Sequence, residues 1–124
     1  MATQSFEQLE VWQKAHQYAL SIYKITKNYP KEEIFGLVSQ IRRSAISITA
    51  NIAEGYIRIG SKDKLRFYNI SQGSLEETRS FIILSKDLGY ISEQDKNEFD
   101  VQAAEISRML NAYCRGLIKN SDNY

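Results

Sequence analysis

Proline occurs once in this chain of 124 residues and glycine six times, so little interrupts the backbone and long helices are the expected elements. Cysteine also occurs once, at Cys114, which excludes an internal disulfide and fits a cytoplasmic location. The sole histidine, His16, has Gln13 three residues before it, so the Glu-x-x-His pairs of bundle di-metal sites are missing. No nucleophile stands in a recognisable motif with it, and a catalytic triad has no support. His16 is read as a helix-face residue, and Cys114 as a small apolar residue beside the last core stripe. The segment GYIRIGSKDK lacks the spacing of a phosphate-cradling loop and follows a helix, not a strand. No apolar run approaches the roughly 20 residues that cross a membrane. The N-terminal MATQSFEQLEVW has no basic stretch followed by an apolar one, so no secretory signal is expected. These absences set the expectation of a protein without enzyme activity, cofactor or metal.

What is present is helical periodicity. Hydrophobic residues make up 43% of the chain and charged residues 25%, the balance of a globular protein able to bury a core. Val11, Ala15, Tyr18, Ile22, Ile25 and Tyr29 recur at spacings of 4 and 3, which predicts a first helix over about 6–28. Ser5 and Gln8 have the spacing of a capping box before it. Pro30, with Glu32 and Glu33 behind it, opens a second helix over about 31–57. Its core stripe is Ile34, Val38, Ile41, Ala45, Ile48 and Ile52, and Gly36 falls inside it at a propensity cost of ~1 kcal/mol.

A third helix is expected over about 62–88, with Ser61 as its cap and Gly89 as its left-handed stop. Its seam reads Phe67, Ile70, Ser74, Thr78, Phe81, Leu84 or Ser85, and Leu88. The small residues Ser71, Gly73 and Ser74 would let a neighbour approach closely. The fourth helix, about 93–118 with Ser92 as cap, carries Phe99, Ala103, Ile106, Leu110, Tyr113 and Leu117. Short links force antiparallel neighbours, so the predicted fold is all-α: one domain over 1–124, an antiparallel up-down-up-down four-helix bundle.

Net charge is only +1, yet it is unevenly spread. Residues 41–66 hold Arg42, Arg43, Arg58, Lys62, Lys64 and Arg66 against Glu54 and Asp63, whereas residues 67–124 hold six cations and nine carboxylates. Such asymmetry marks either an anion-binding surface or two faces that attract each other within the bundle or between subunits. Those six cations are the candidate nucleic-acid contacts. Arg58, Lys62, Lys64 and Arg66 cluster at the turn between helices 2 and 3, with Tyr56, Phe67 and Tyr68 nearby to stack on bases.

Helix 2 also bears a polar stripe, Gln40, Arg43, Ser47, Asn51 and Glu54. It can be solvated surface, a hydrogen-bonded network between helices or subunits, or a ligand site. Ser and Asn are poor residues for a merely solvated helix face, which favours the network. Phe6, Leu9, Phe35, Leu37 and Met109 lie off the main seams, more apolar bulk than one bundle of this length can cover. That motivates a homo-oligomer.

The run QIRRSAISITANIAEG, together with Phe6, Leu9, Val11 and Trp12, Phe35-Gly36-Leu37, Arg66-Phe67, Gly73-Ser74-Leu75 and Leu88-Gly89-Tyr90, resembles a small bacterial family. Its members are named for proteins encoded in intervening sequences of 23S ribosomal RNA genes. The resemblance spans about residues 6–118. It implies an antiparallel four-helix bundle assembled as a ring-shaped homopentamer. A related branch, the accessory protein of diversity-generating retroelements, works with a reverse transcriptase and RNA. The ribosomal label records gene location only. This chain departs at Thr49, where relatives often have proline. The functional expectation is a non-enzymatic oligomer that binds RNA or DNA. The alternative is a scaffold that docks another protein without nucleic-acid contact.

Overall fold

A computed structural model describes residues 5–121, with side chains through 119. A short 3₁₀ turn, Phe6–Gln8, leads into α1 (Glu10–Thr26). A second 3₁₀ turn, Lys31–Glu33, precedes α2 (Leu37–Ile57), followed by α3 (Ser61–Asp87) and α4 (Glu93–Ser121). Each helix touches the next, α4 returns to α1, and the backbones of the diagonal pairs α1/α3 and α2/α4 stay apart among the described residues. The fold is an all-α four-helix bundle of up-down order. No described helix is long and apolar enough to cross a membrane.

The core follows the 4,3 spacing on three helices. Val11, Ala15, Tyr18 and Ile22 of α1, Ile41, Ala45, Ile48 and Ile52 of α2, and Ala103, Ile106 and Leu110 of α4 are fully buried or nearly so. The α1–α4 side is filled by bulk: the Tyr18 and Phe99 rings meet edge-on at 5.8 Å. Lys14 and Glu105 pair across its rim at 3.3 Å.

The third helix is rotated from its expected register. Its buried row is Tyr68, Ser71, Leu75, Thr78, Ile82 and Ser85, flanked by Ser74. Ile70, Leu84 and Leu88 point outward instead. The cause is the closeness of α2. Its neighbour's seam is made of hydroxyl residues, and these are satisfied locally. The Ser71 hydroxyl donates to the Ile48 carbonyl at 2.8 Å. Thr78 Oγ1 lies 2.7 Å from Ser44 Oγ, and Ser74 Oγ lies 2.7 Å from Ser47 Oγ. Side chains this small admit a close approach, and a buried hydroxyl with a partner costs little. Gly73 takes no part; it is exposed with open space beside it.

The second helix starts later than its periodicity implies. The chain turns at Gly36, so this glycine precedes α2 rather than lying inside it, and Ile34 is half exposed. Glu33 supplies the cap from outside: its carboxylate accepts the Leu37 N–H at 3.4 Å and the Tyr90 hydroxyl at 2.9 Å. From Leu37 onward α2 is unbroken through Thr49, whose hydroxyl donates to the Ile46 carbonyl at 2.9 Å. Ser61 is the first residue of α3, and Gly60 holds the cap position. Ser92 does cap α4, bonding the Asp95 N–H at 3.0 Å while the Asp95 carboxylate accepts the Ser92 N–H at 3.3 Å. Gly89 stops α3 with φ of 81°, and the Tyr90 and Gly89 N–H groups bond the Ser85 and Lys86 carbonyls.

Candidate functional site

The six candidate cations occupy different environments. Lys64 is turned inward: its ammonium donates to the carbonyls of Gly55 at 3.1 Å and Tyr56 at 2.6 Å, closing the end of α2. Burial lowers its pKa. A cation there offsets the negative end of the helix dipole. Arg42 is also committed to the fold. Its Nε bonds Thr26 at 2.9 Å, a terminal nitrogen bonds the Tyr23 carbonyl at 3.2 Å, and the guanidinium lies over the Tyr23 ring. Neither is available to a phosphate without giving up a structural role.

Arg58 and Arg66 form a different unit. Their guanidinium carbons lie 4.6 and 4.5 Å from the centroid of the Phe67 ring. Arg58 pairs with Glu54 at 2.9 Å and Arg66 with Asp63 at 3.5 Å. Arg58 Nε is buried without a partner, Arg66 is exposed, and Lys62 is exposed and has no ion pair among the described residues. Base stacking loses support here. Phe67 is already covered by arginine, and Tyr68 is buried, its phenol pushed up to about 12 first by burial and then by Tyr113 and Cys114. The Tyr68 ring also explains the glycine that ends ANIAEG. A Cβ on Gly55 would stand 2.6 Å from it.

The polar stripe of α2 does not form one network within the chain. Asn51 donates to the carbonyl and hydroxyl of Ser47 at 2.8 and 3.0 Å, and Ser47 meets Ser74 of α3. Those residues belong to the α2–α3 seam. Glu54 turns away to Arg58. Gln40 and Arg43 are exposed and have no bond to the others. The division follows from angle: Ser47 lies toward α3, whereas Arg43 is on the side facing α1.

That side holds a feature missed in the sequence. A groove of about 800 Å³ runs between the end of α1 and the start of α2, with Tyr23, Lys27, Lys31, Phe35, Arg43 and Ile46 among its walls. Phe35 is 96% exposed. Of the five off-seam apolar residues, only Phe35 is in the open; Leu9 and Leu37 are buried, and Phe6 and Met109 pack against the core. Exposed apolar bulk lies instead at Ile57 (70%) and Ile59 (100%). The groove's residues come from two helices and the turn between them, so no single periodicity announces it.

His16 stacks on Trp12 at 4.7 Å, and burial raises the Cys114 thiol pKa. Both stand on helices at half-buried positions.

Fold and surfaces together define a small all-α bundle with exposed apolar and cationic faces. The chain belongs to the 23S rRNA-intervening sequence protein family, whose family model matches residues 7–112. A crystal structure from Bacteroides thetaiotaomicron, described as a protein of unknown function from the S23 ribosomal protein family, is similar with a TM-score of 0.75 and 27% identity. The match covers 84% of this chain and 97% of that one. No curated protein matches the sequence.

Proposed function

We propose that this chain is a non-enzymatic building block that associates with copies of itself, as a homopentamer by family resemblance, in the cytoplasm. The exposure of Phe35, Ile57 and Ile59 carries this reading. Phe35 is held in an ordered turn beside a groove, and apolar surface of this kind marks an interface. Light scattering at micromolar concentration tests it. The expected particle is a multiple of 14.3 kDa, and a clean monomer would overturn the reading.

A second reading, contact with RNA or DNA at the α2–α3 turn, is favoured by one observation. Arg58 and Arg66 are held over Phe67 near Lys62, which has no ion pair among the described residues. Phosphate binding there should weaken with salt, with a negative log–log slope. Lys62→Glu with Arg66→Glu should reduce both affinity and slope. Lys64 is the wrong probe, because its loss uncaps α2. Absence of binding by the unmodified protein at low salt leaves the scaffold alone.

A further inference from the structure

The groove between α1 and α2 is cationic as well as apolar. Lys27, Lys31 and Arg43 line it, none with an ion pair among the described residues, and no carboxylate residue lines it. Residues 24–43 as a whole hold five cations and two carboxylates. One of those carboxylates, Glu33, is occupied by the Leu37 N–H and the Tyr90 hydroxyl. The natural occupant therefore brings apolar side chains together with negative charge.

The same molecule presents such a surface elsewhere. Ile70, Glu77, Leu84 and Leu88 lie on one outward face of α3, within about 40° of each other at 100° per residue. Gly73 and Ser80 make that face shallow. Three of these side chains are apolar and between 42% and 49% exposed. Glu77 has no ion pair among the described residues, and residues 76–98 hold six carboxylates and three cations. The stripe is apolar, carries the one carboxylate of Glu77 and has no partner among the described residues.

The groove and the stripe cannot meet inside one molecule. The groove is walled by α1 and α2, the stripe faces away from the core on α3, and α1 and α3 are diagonal. Two grooves set face to face would oppose cation to cation. We infer that the α1–α2 groove receives the outward α3 stripe of a second copy of this chain, with Arg43 and its neighbouring lysines facing Glu77. This rests on the self-association proposed above and specifies its surfaces. The contact is head-to-tail: each copy offers one groove and one stripe, so the assembly closes into a ring or extends, and a two-fold dimer through the groove is disfavoured.

Charge reversal tests this. Arg43→Glu and Glu77→Lys are both exposed substitutions, and circular dichroism should show each variant folded. Each alone should weaken assembly at least about tenfold in sedimentation or light scattering, since like charges then face each other. Arg43→Glu combined with Glu77→Lys in one chain should restore assembly. Lys62→Glu, in the first turn of α3 and off the stripe, should leave it intact. If the unmodified protein assembles but the single reversals do not disturb it, or the double reversal fails to recover it, this pairing is wrong and self-association uses another face. If the unmodified protein is monomeric, both proposals fall.

Discussion

The α2–α3 and α1–α4 sides close the same bundle by opposite means. On the α1–α4 side, large rings such as Tyr18 and Phe99 fill a wide space. On the α2–α3 side, Ser44, Ser47, Ser71, Ser74 and Thr78 let the helices approach, and their hydroxyls find partners across the seam or on a carbonyl. One side is stabilised by volume, the other by proximity and satisfied polarity. They should therefore fail under opposite substitutions.

Phe99→Ala should have the largest effect, a loss of about 3–5 kcal/mol, because a buried ring leaves a cavity that rigid helices fill poorly. Thermal or denaturant unfolding measures it. Ser71→Leu should cost about 1–3 kcal/mol for the reverse reason: added methylenes have no room at a fully buried position whose hydroxyl is 2.8 Å from an α2 carbonyl. If Ser71→Leu were neutral while Phe99→Ala was severe, the close-approach account of α2–α3 would be wrong.

The hydroxyl pairs sharpen the comparison through a double-mutant cycle. Thr78→Val should cost about 1 kcal/mol, and adding Ser44→Ala should cost less than the sum of the two single changes, since a pair removed together leaves no orphaned group. Additive losses would show that the pair is not coupled. The smallest effect is expected at the exposed edge of the same helix. Glu54→Ala removes only a surface pair with Arg58, worth below about 1 kcal/mol, and should shift the melting temperature less than Asn51→Ala, whose bonds lie in the seam.

The two sides also differ in how readily the sequence discloses them. Tyr18, Ile22, Ile106 and Leu110 are apolar residues at helical spacing, so their burial is legible. The α3 seam is legible in part: Ser74, Thr78 and the Ser85 alternative are buried as expected, whereas Ile70 and Leu88 are not. Ile70 draws the expected stripe off the core by its apolar side chain, whereas Ser71 occupies the core, and of the pair Leu84 or Ser85 it is Ser85 that is buried. The candidate cations show the same limit. Their clustering near the α2–α3 turn is visible in the chain. That Lys64 caps a helix end, Arg42 binds the α1 terminus and Arg58 rests on Phe67 depends on where neighbouring backbone lies.

Local chemistry determined four helices, the stop at Gly89, the cap at Ser92 and the family signature, because spacing, turn preference and side-chain type are properties of short segments. Tertiary structure decided the register of α3, the late start of α2 at Leu37 and the assembly of a cationic groove from two helices. Those outcomes depend on the distance between helices and on which partner each polar group meets, and both are set only when the helices pack.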